Sequence, residues 1–171
     1  MSDELKNRSS RTNQYSVLKT QHLAGTGTVL AFDFGKKRIG VAVGDLAMEI
    51  AHPLTTIHAE DNRARFSAIA ALIDEWRPAE LVVGVPAHDD GRKHETGELA
   101  RRFAHRLEGR FHITTRLIDE RLTSHVAEGR LRAAGVSRRK LKQSLDAAAA
   151  QEILQSYFAT RAEPATAKPG A

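Results

Sequence analysis

Four acidic residues at three places in the chain stand apart from the other carboxylates by their surroundings. Asp33 interrupts the apolar run Val29-Leu30-Ala31-Phe32-Asp33-Phe34. Asp119 and Glu120 follow a run of strand-forming residues, and Asp146 opens onto Ala147 to Ala150. A charge inside a buried strand is costly unless a cation compensates it or it takes up a proton. Carboxylates brought together repel one another, and one or more of them protonates. With Mg²⁺ or Mn²⁺ they become hard oxygen ligands. Two such ions about 4 Å apart can activate water and stabilise the leaving oxygen of a phosphodiester. Taken singly, each acid has an ordinary use as an ion-pair partner, Asp146 with Lys142 for example. Taken together, beside a basic segment, they read as a metal-dependent hydrolytic site.

For these residues to meet, the elements around them must be ordered suitably. Residues 1–24 are polar and without apolar periodicity, which predicts a flexible arm. Strands are expected over 29–34, 39–43 and 50–57, joined by short turns as an antiparallel meander, with Pro53 confining the third to an edge. The pattern then changes period. Phe66, Ile69, Ala70, Ile73 and Trp76 recur at helical spacing over 63–76, and Pro78 stops that helix. The compact run over 81–85 has the composition of a strand buried on both faces. Leu99, Phe103 and Leu107 predict a helix over 94–107 ended by Gly109, followed by a strand over 113–118. A helix over 126–134 closed by Gly135 comes next. The last helix starts at Ser137, a plausible N-cap, and runs to about 158. Residues 161–171, rich in Pro and Ala, are expected to be disordered. The order β-β-β-α-β-α-β-α-α argues for an α/β fold with a mixed five-stranded sheet, three strands antiparallel and then two parallel, and helices on both faces. Strands one, four and five then run parallel, so Asp33 and Asp119-Glu120 lie at one edge. On the last helix Asp146, Ala150, Ile153 and Tyr157 share a face, which can carry Asp146 across them.

Composition bounds the partners. The 171 residues suit one α/β domain with a real core, and 41% hydrophobic content is that of a globular protein. No apolar run reaches the length of a membrane span, and the first 20 residues lack the apolar stretch of a signal peptide. The absence of cysteine excludes disulfides and thiolate zinc sites and fits a reducing cytoplasm. The chain carries a net charge of +5, while Arg121 to Lys142 holds seven Lys and Arg against Glu128 alone. The rest is therefore close to neutral. Such a segment is either a solvated helix face or a phosphate-binding patch for nucleic acid, and aromatics are too few for base stacking to dominate. Gly35-Lys36-Lys37-Arg38 lacks the spacing of a Walker loop and reads as a tight turn able to touch phosphate. The eight histidines show no zinc spacing, and no Gly-x-Ser-x-Gly elbow is present. No heptad or self-complementary surface fixes the oligomeric state, and a homodimer stays open.

Phe32-Asp33-Phe34-Gly35 with Arg38-Ile39-Gly40-Val41-Ala42-Val43, then Gly84-Val85-Pro86 with Asp90-Gly91, then Asp119-Glu120-Arg121-Leu122, then Asp146 with Ile153-Leu154, resemble the YqgF family. That family belongs to the RNase H-like superfamily and is similar to the RuvC Holliday-junction resolvases. The resemblance covers roughly 25–158. It implies an RNase H-like fold spanning 25–160, and a cytoplasmic nuclease that uses a divalent metal in maturing the 5′ end of pre-16S rRNA. By position Asp33 matches the family's first-strand acid, Glu120 with Asp119 the strand-five acid, and Asp146 the last-helix acid. Thr123-Ser124 reverses the family's usual Ser-Thr, Val126 replaces a common glutamate, and no carboxylate ends strand four.

The resulting expectation is a phosphodiesterase in which Asp33, Glu120 and Asp146, with Asp119, hold Mg²⁺ or Mn²⁺. Lys36, Lys37, Arg38, Arg121 and Thr123 contact phosphates, and Arg138, Arg139 and Lys140 guide the nucleic acid in. Alternatives are a resolvase-like endonuclease on branched DNA and a non-catalytic RNA-binding ribosome-assembly factor that keeps the basic patch without depending on the acids. An actin-like ATPase, which shares the superfamily core, needs two such domains, and 171 residues supply one.

Overall fold

The computed structural model describes residues 25–86, 91–120 and 138–162, with backbone alone at 91–94, 138–143 and 162. The elements are β1 (Thr28–Phe34), β2 (Arg38–Asp45), β3 (Ile50–His58), α1 (Asn62–Trp76), β4 (Glu80–Val85), α2 (Gly91–Phe111), β5 (Thr115–Asp119) and α3 (Arg138–Ala162). They build one sheet in the order β3-β2-β1-β4-β5. β2 runs antiparallel to both β1 and β3, while β4 runs parallel to β1, and β5 to β4. This is the mixed sheet that the sequence pattern predicts. The expected arm, the helix over 126–134 and residues 163–171 of the expected tail fall outside the described residues, while residues 161 and 162, counted in that tail, continue the last helix.

Side-chain alternation decides what covers each face. Leu30 and Phe32 of β1, with Leu81, Val83 and Val85 of β4, turn toward Phe66 and Ile69 of α1 and Phe103 and Leu107 of α2. Val29 and Ala31, with Ala42 of β2 and Val82, turn the other way, onto Ala150, Ile153 and Leu154 of α3. The central strands are thus buried on both faces, as their near-continuous apolar runs require. β3 is an edge strand, and its ladder with β2 shifts between Val41 and Ala42, so that Thr55 and Pro53 are paired and Leu54 is passed over. Pro53 is tolerated at that rim because an edge strand need not offer every N–H inward.

Several helix ends depart from the pattern. Asp61 caps α1, its carboxylate accepting from the Ala64 N–H at 3.2 Å. At the other end Arg77 takes up a left-handed φ of 44° and donates its N–H to the Ile73 carbonyl, so an arginine does the work usually left to glycine. α2 begins at Gly91 and runs through Gly109 to Phe111, rather than 94–107. Gly109 fails to end it because Phe111 lies 6.5 Å from the Phe66 ring, and keeping that contact needs one more half-turn. The helix ends instead at His112, with φ 53°. α3 likewise extends past 158 to Ala162, and β5 starts two residues late, at Thr115. Among the described residues no helix is long and apolar enough to cross a membrane.

Candidate active site

Asp33 follows Val29 and Ala31 onto the α3 face of the sheet, directly across from Gly40 on β2. On its other side β4 pairs Val83 with Phe32, which brings Gly84 beside Asp33 one step further on. The only carboxylate inside β1 therefore lies between two positions that carry no side chain. Both glycines leave room for other parts of the site. A Cβ on Gly40 would run into the Asp146 carbonyl and reach within 3.1 Å of the Ala147 nitrogen. A Cβ on Gly84 would collide with Glu120 Oε1 and with Ile153. Helix α3 crosses β2 closely because Gly40 meets Asp146 and Ala147 while Ala42 faces Ala150, and that approach sets Asp146 next to Asp33. Glu120 follows β5, its N–H donating to the Val85 carbonyl at 3.0 Å, and its carboxylate lies over Gly84. β4 brings no acid to this end, since its Glu80 stands at the opposite end and accepts from the Tyr157 hydroxyl.

The charges interact strongly. Burial, helped by the charge of Asp146, pushes the Asp33 carboxyl up from the ordinary 3.8 to about 6. Burial first, and then the charges of Asp33 and Asp119, raise Glu120 from 4.5 to about 7. Asp33 is thus the carboxylate that links the other two. Among the described residues no ion pair or hydrogen bond reaches its carboxylate. Asp146, by contrast, faces Arg38, whose Nε lies 3.0 Å from Oδ2. Arg38, expected at phosphate, is therefore engaged within the site, while the side chain of Lys142, the other partner expected for Asp146, lies outside the described residues. Asp119 pairs with Val85 in the ladder and so turns to the opposite face from Glu120. There it lines a hollow of about 190 Å³ with Val85, Pro86, Arg101, Leu117 and Ile118.

Of the cations, Lys36 reaches Glu95 at 2.9 Å and Lys37 lies 3.9 Å from Glu60, both pairs exposed. Such pairs contribute little and open easily. Arg121 and Thr123 lie outside the described residues, and of Arg138, Arg139 and Lys140 only the backbone, the start of α3, is described. One residue escapes sequence reasoning altogether. Arg65 is 6% exposed on the inner side of α1. Its Nη2 donates to the carbonyls of Lys36 at 2.6 Å and Ala59 at 2.9 Å, and its guanidinium lies over the Phe34 ring. It clamps the β1–β2 turn that carries Lys36, Lys37 and Arg38. In the sequence it is one more arginine among many, so no signal marked it.

The donor chemistry fits a divalent cation. Asp33 and Glu120 are hard oxygen donors whose raised pKa values express an unmet need for positive charge. Among the described residues no three acidic or histidine groups form a ready-made metal cluster, so the carboxylates are linked in pairs.

The raised values have a consequence for stability. Between about pH 4 and 7 the folded chain holds protons that the unfolded chain has already released, so stability falls as pH rises through that window. Above it each group costs roughly 2–3 kcal/mol, less than additively since the groups are coupled. In thermal melts with EDTA, Asp33→Asn/Glu120→Gln should gain several degrees over wild type at pH 8 and almost nothing at pH 4. A gain independent of pH would mean that these two groups are not the ones titrating.

Comparison with known proteins places the chain in a family. The model of the RuvX family, described as Holliday junction resolvase, matches residues 27–160. A protein of Methylobacillus flagellatus named "Putative pre-16S rRNA nuclease" is 57% identical over 132 residues, which cover 77% of this chain and 90% of the relative. One of the same name from Nitrosomonas europaea is 55% identical over 135 residues, covering 79% and 91%. Among solved structures, T. thermophilus RuvC in complex with a Holliday junction substrate aligns with a TM-score of 0.49 and 16% identity, over 79% of this chain and 95% of that one. With the family model spanning most of its length and relatives above half identity, the chain belongs to the RuvX family of nucleases, the family its motifs resemble under the name YqgF.

Proposed function

We propose that this chain is a divalent-metal-dependent phosphodiesterase acting on RNA in the cytoplasm, at the 5′ end of the 16S rRNA precursor. The observation that carries the reading is Asp33, a carboxylate with a raised pKa in a central strand, between two glycines and in electrostatic contact with Asp146. Such a group is costly to the fold and is explained by a cation it is built to receive. Asp33, Glu120 and Asp146 would hold Mg²⁺ or Mn²⁺, with Asp119 adding negative charge from the far side of β5. When bound, the ion supplies charge stabilisation at phosphorus and lowers the pKa of water. Glu120, whose carboxyl burial raises to about 7, would have to be ionised to hold such an ion, so the site should bind it better above neutral pH. Lys36 and Lys37 leave their exposed acidic partners to receive phosphate, and Arg38 balances Asp146 until then. The names of the relatives support rRNA as the substrate, and the family description keeps branched DNA in view.

The test incubates wild type with labelled 16S precursor RNA and with a four-way DNA junction, in Mn²⁺ and in EDTA. Cutting of the RNA in Mn²⁺ alone is the expected result. Preference for the junction would move the substrate to DNA. Binding without cutting of either would make the chain an assembly factor and overturn the catalytic reading.

A further inference from the structure

A groove of about 770 Å³ opens between α1 and α2, on the side of the sheet away from α3 and the carboxylates, lined by Arg63, Phe66, His105, Arg106, Gly109 and Arg110. Its charge is one-sided, with no carboxylate in the lining. The three arginines are exposed, and among the described residues none of them is in an ion pair. The Arg110 guanidinium is steadied instead by the Phe66 ring, 5.1 Å away, a contact that uses the face of the guanidinium and none of its N–H donors. Helix-dipole compensation accounts for a cation in the last turn of α2, where Arg110 sits. It does not account for Arg63, which stands in the first turn of α1, where the dipole disfavours a cation and the turn itself carries no acid, Asp61 at the N-cap being engaged with the Ala64 N–H.

The groove also connects to the site. Arg65, two residues beyond Arg63, holds the Lys36 carbonyl, so the first turn of α1 is tied to the turn that carries Lys36, Lys37 and Arg38. Arg38 in turn touches Asp146. The turn bearing Lys36, Lys37 and Arg38, with Lys36 on Glu95 and Lys37 on Glu60, thus lies between the carboxylates and the start of α1, where Arg63 opens the groove that Arg106 and Arg110 line. We propose that this groove is a second binding site for the phosphate backbone of the nucleic-acid substrate, so that the strand is held on both faces of the sheet. The proposal rests on the reading of the chain as a nuclease, and it assigns phosphate contacts to a surface other than the basic segment 121–142. Guanidinium groups suit this use, since they grip phosphate oxygens with paired donors.

The experiment measures binding of the full chain to a fluorescently labelled 16S precursor fragment across a salt series, with cleavage followed in parallel. Arg63→Gln/Arg106→Gln/Arg110→Gln should bind about tenfold more weakly or worse, and its plot of log affinity against log salt should flatten by about 2. Its rate at saturating RNA should match wild type. The corresponding triple lysine variant keeps the charge but not the paired donors, so it should restore the wild-type salt slope while regaining only part of the affinity. Unchanged affinity and slope in the glutamine variant would overturn the proposal. A slope that stays flat in the lysine variant would do so too, because the loss would then come from the packing of Arg110 on Phe66 rather than from charge. If wild type binds but cuts nothing while the glutamine variant loses affinity, the groove stands and the nuclease reading falls.

Discussion

Asp33→Asn should lower the cleavage rate by at least about 10³-fold, some 4 kcal/mol of barrier, while affinity for RNA stays within a few-fold of wild type. The size follows from where Asp33 stands. It is the carboxylate through which Asp146 and Glu120 feel each other, since its own pKa is raised by Asp146 and it raises that of Glu120. An isosteric amide keeps the shape, the strand register with Gly40 and the packing of α3. What it removes is the central negative charge that a cation would need. The same change relieves a buried like-charge repulsion, so the inactive protein should be at least as stable as wild type in EDTA above pH 7. Loss of activity together with a higher melting temperature separates removal of a functional charge from unfolding. Cleavage within tenfold of wild type would show that the chemistry does not pass through this carboxylate.

How much of this was legible beforehand depended on the kind of information each feature carries. The meander, the parallel strands and the helices on both faces follow from period and punctuation, which are local properties of the chain. The acids were visible because a charge in an apolar strand, or on the packing face of a helix, breaks the pattern around it. Pro53 fixed an edge for the same reason. What sequence does not carry is which partner completes a contact across the fold. Asp146 faces Arg38, more than a hundred residues away. Glu120 and not Asp119 joins Asp33, a distinction that rests on one residue of strand parity at the end of β5. The Gly109 stop failed because a long-range aromatic contact outweighs a local propensity of about 1 kcal/mol. The groove arginines were hidden by averaging. Net charge outside 121–142 is small, yet α1 and α2 gather Arg63, Arg106 and Arg110 at one place.

Gly40→Ala should be the most damaging single methyl group in the fold. On conformational grounds alone, Ala in place of Gly stabilises a chain by a few tenths to 1 kcal/mol, because the unfolded state has less freedom to lose. Gly40 has no left-handed φ that would forbid alanine, so the sign is decided by space. The new Cβ would enter the carbonyl of Asp146, and the obstacle is helix backbone that has no rotamer to change. Helix α3 has to lift from β2, opening the interface formed by Ala147, Ala150 and Leu154, and an overpacked core with a backbone shift costs about 3 kcal/mol or more. A fall of roughly 6–12 °C in melting temperature corresponds to that for a chain of this size. Activity should fall further than stability predicts, since the displaced segment is the one that presents Asp146 to Asp33. Gly109→Ala supplies the contrast. It lies in the last turn of α2 with nothing within 4 Å of a new Cβ. The same methyl group there should raise stability by about 0.5–1 kcal/mol through helix propensity. Equal melting temperatures for the two variants would mean that α3 does not approach β2 as closely as the site requires, and the pairing of Asp146 with Asp33 would lose its structural basis.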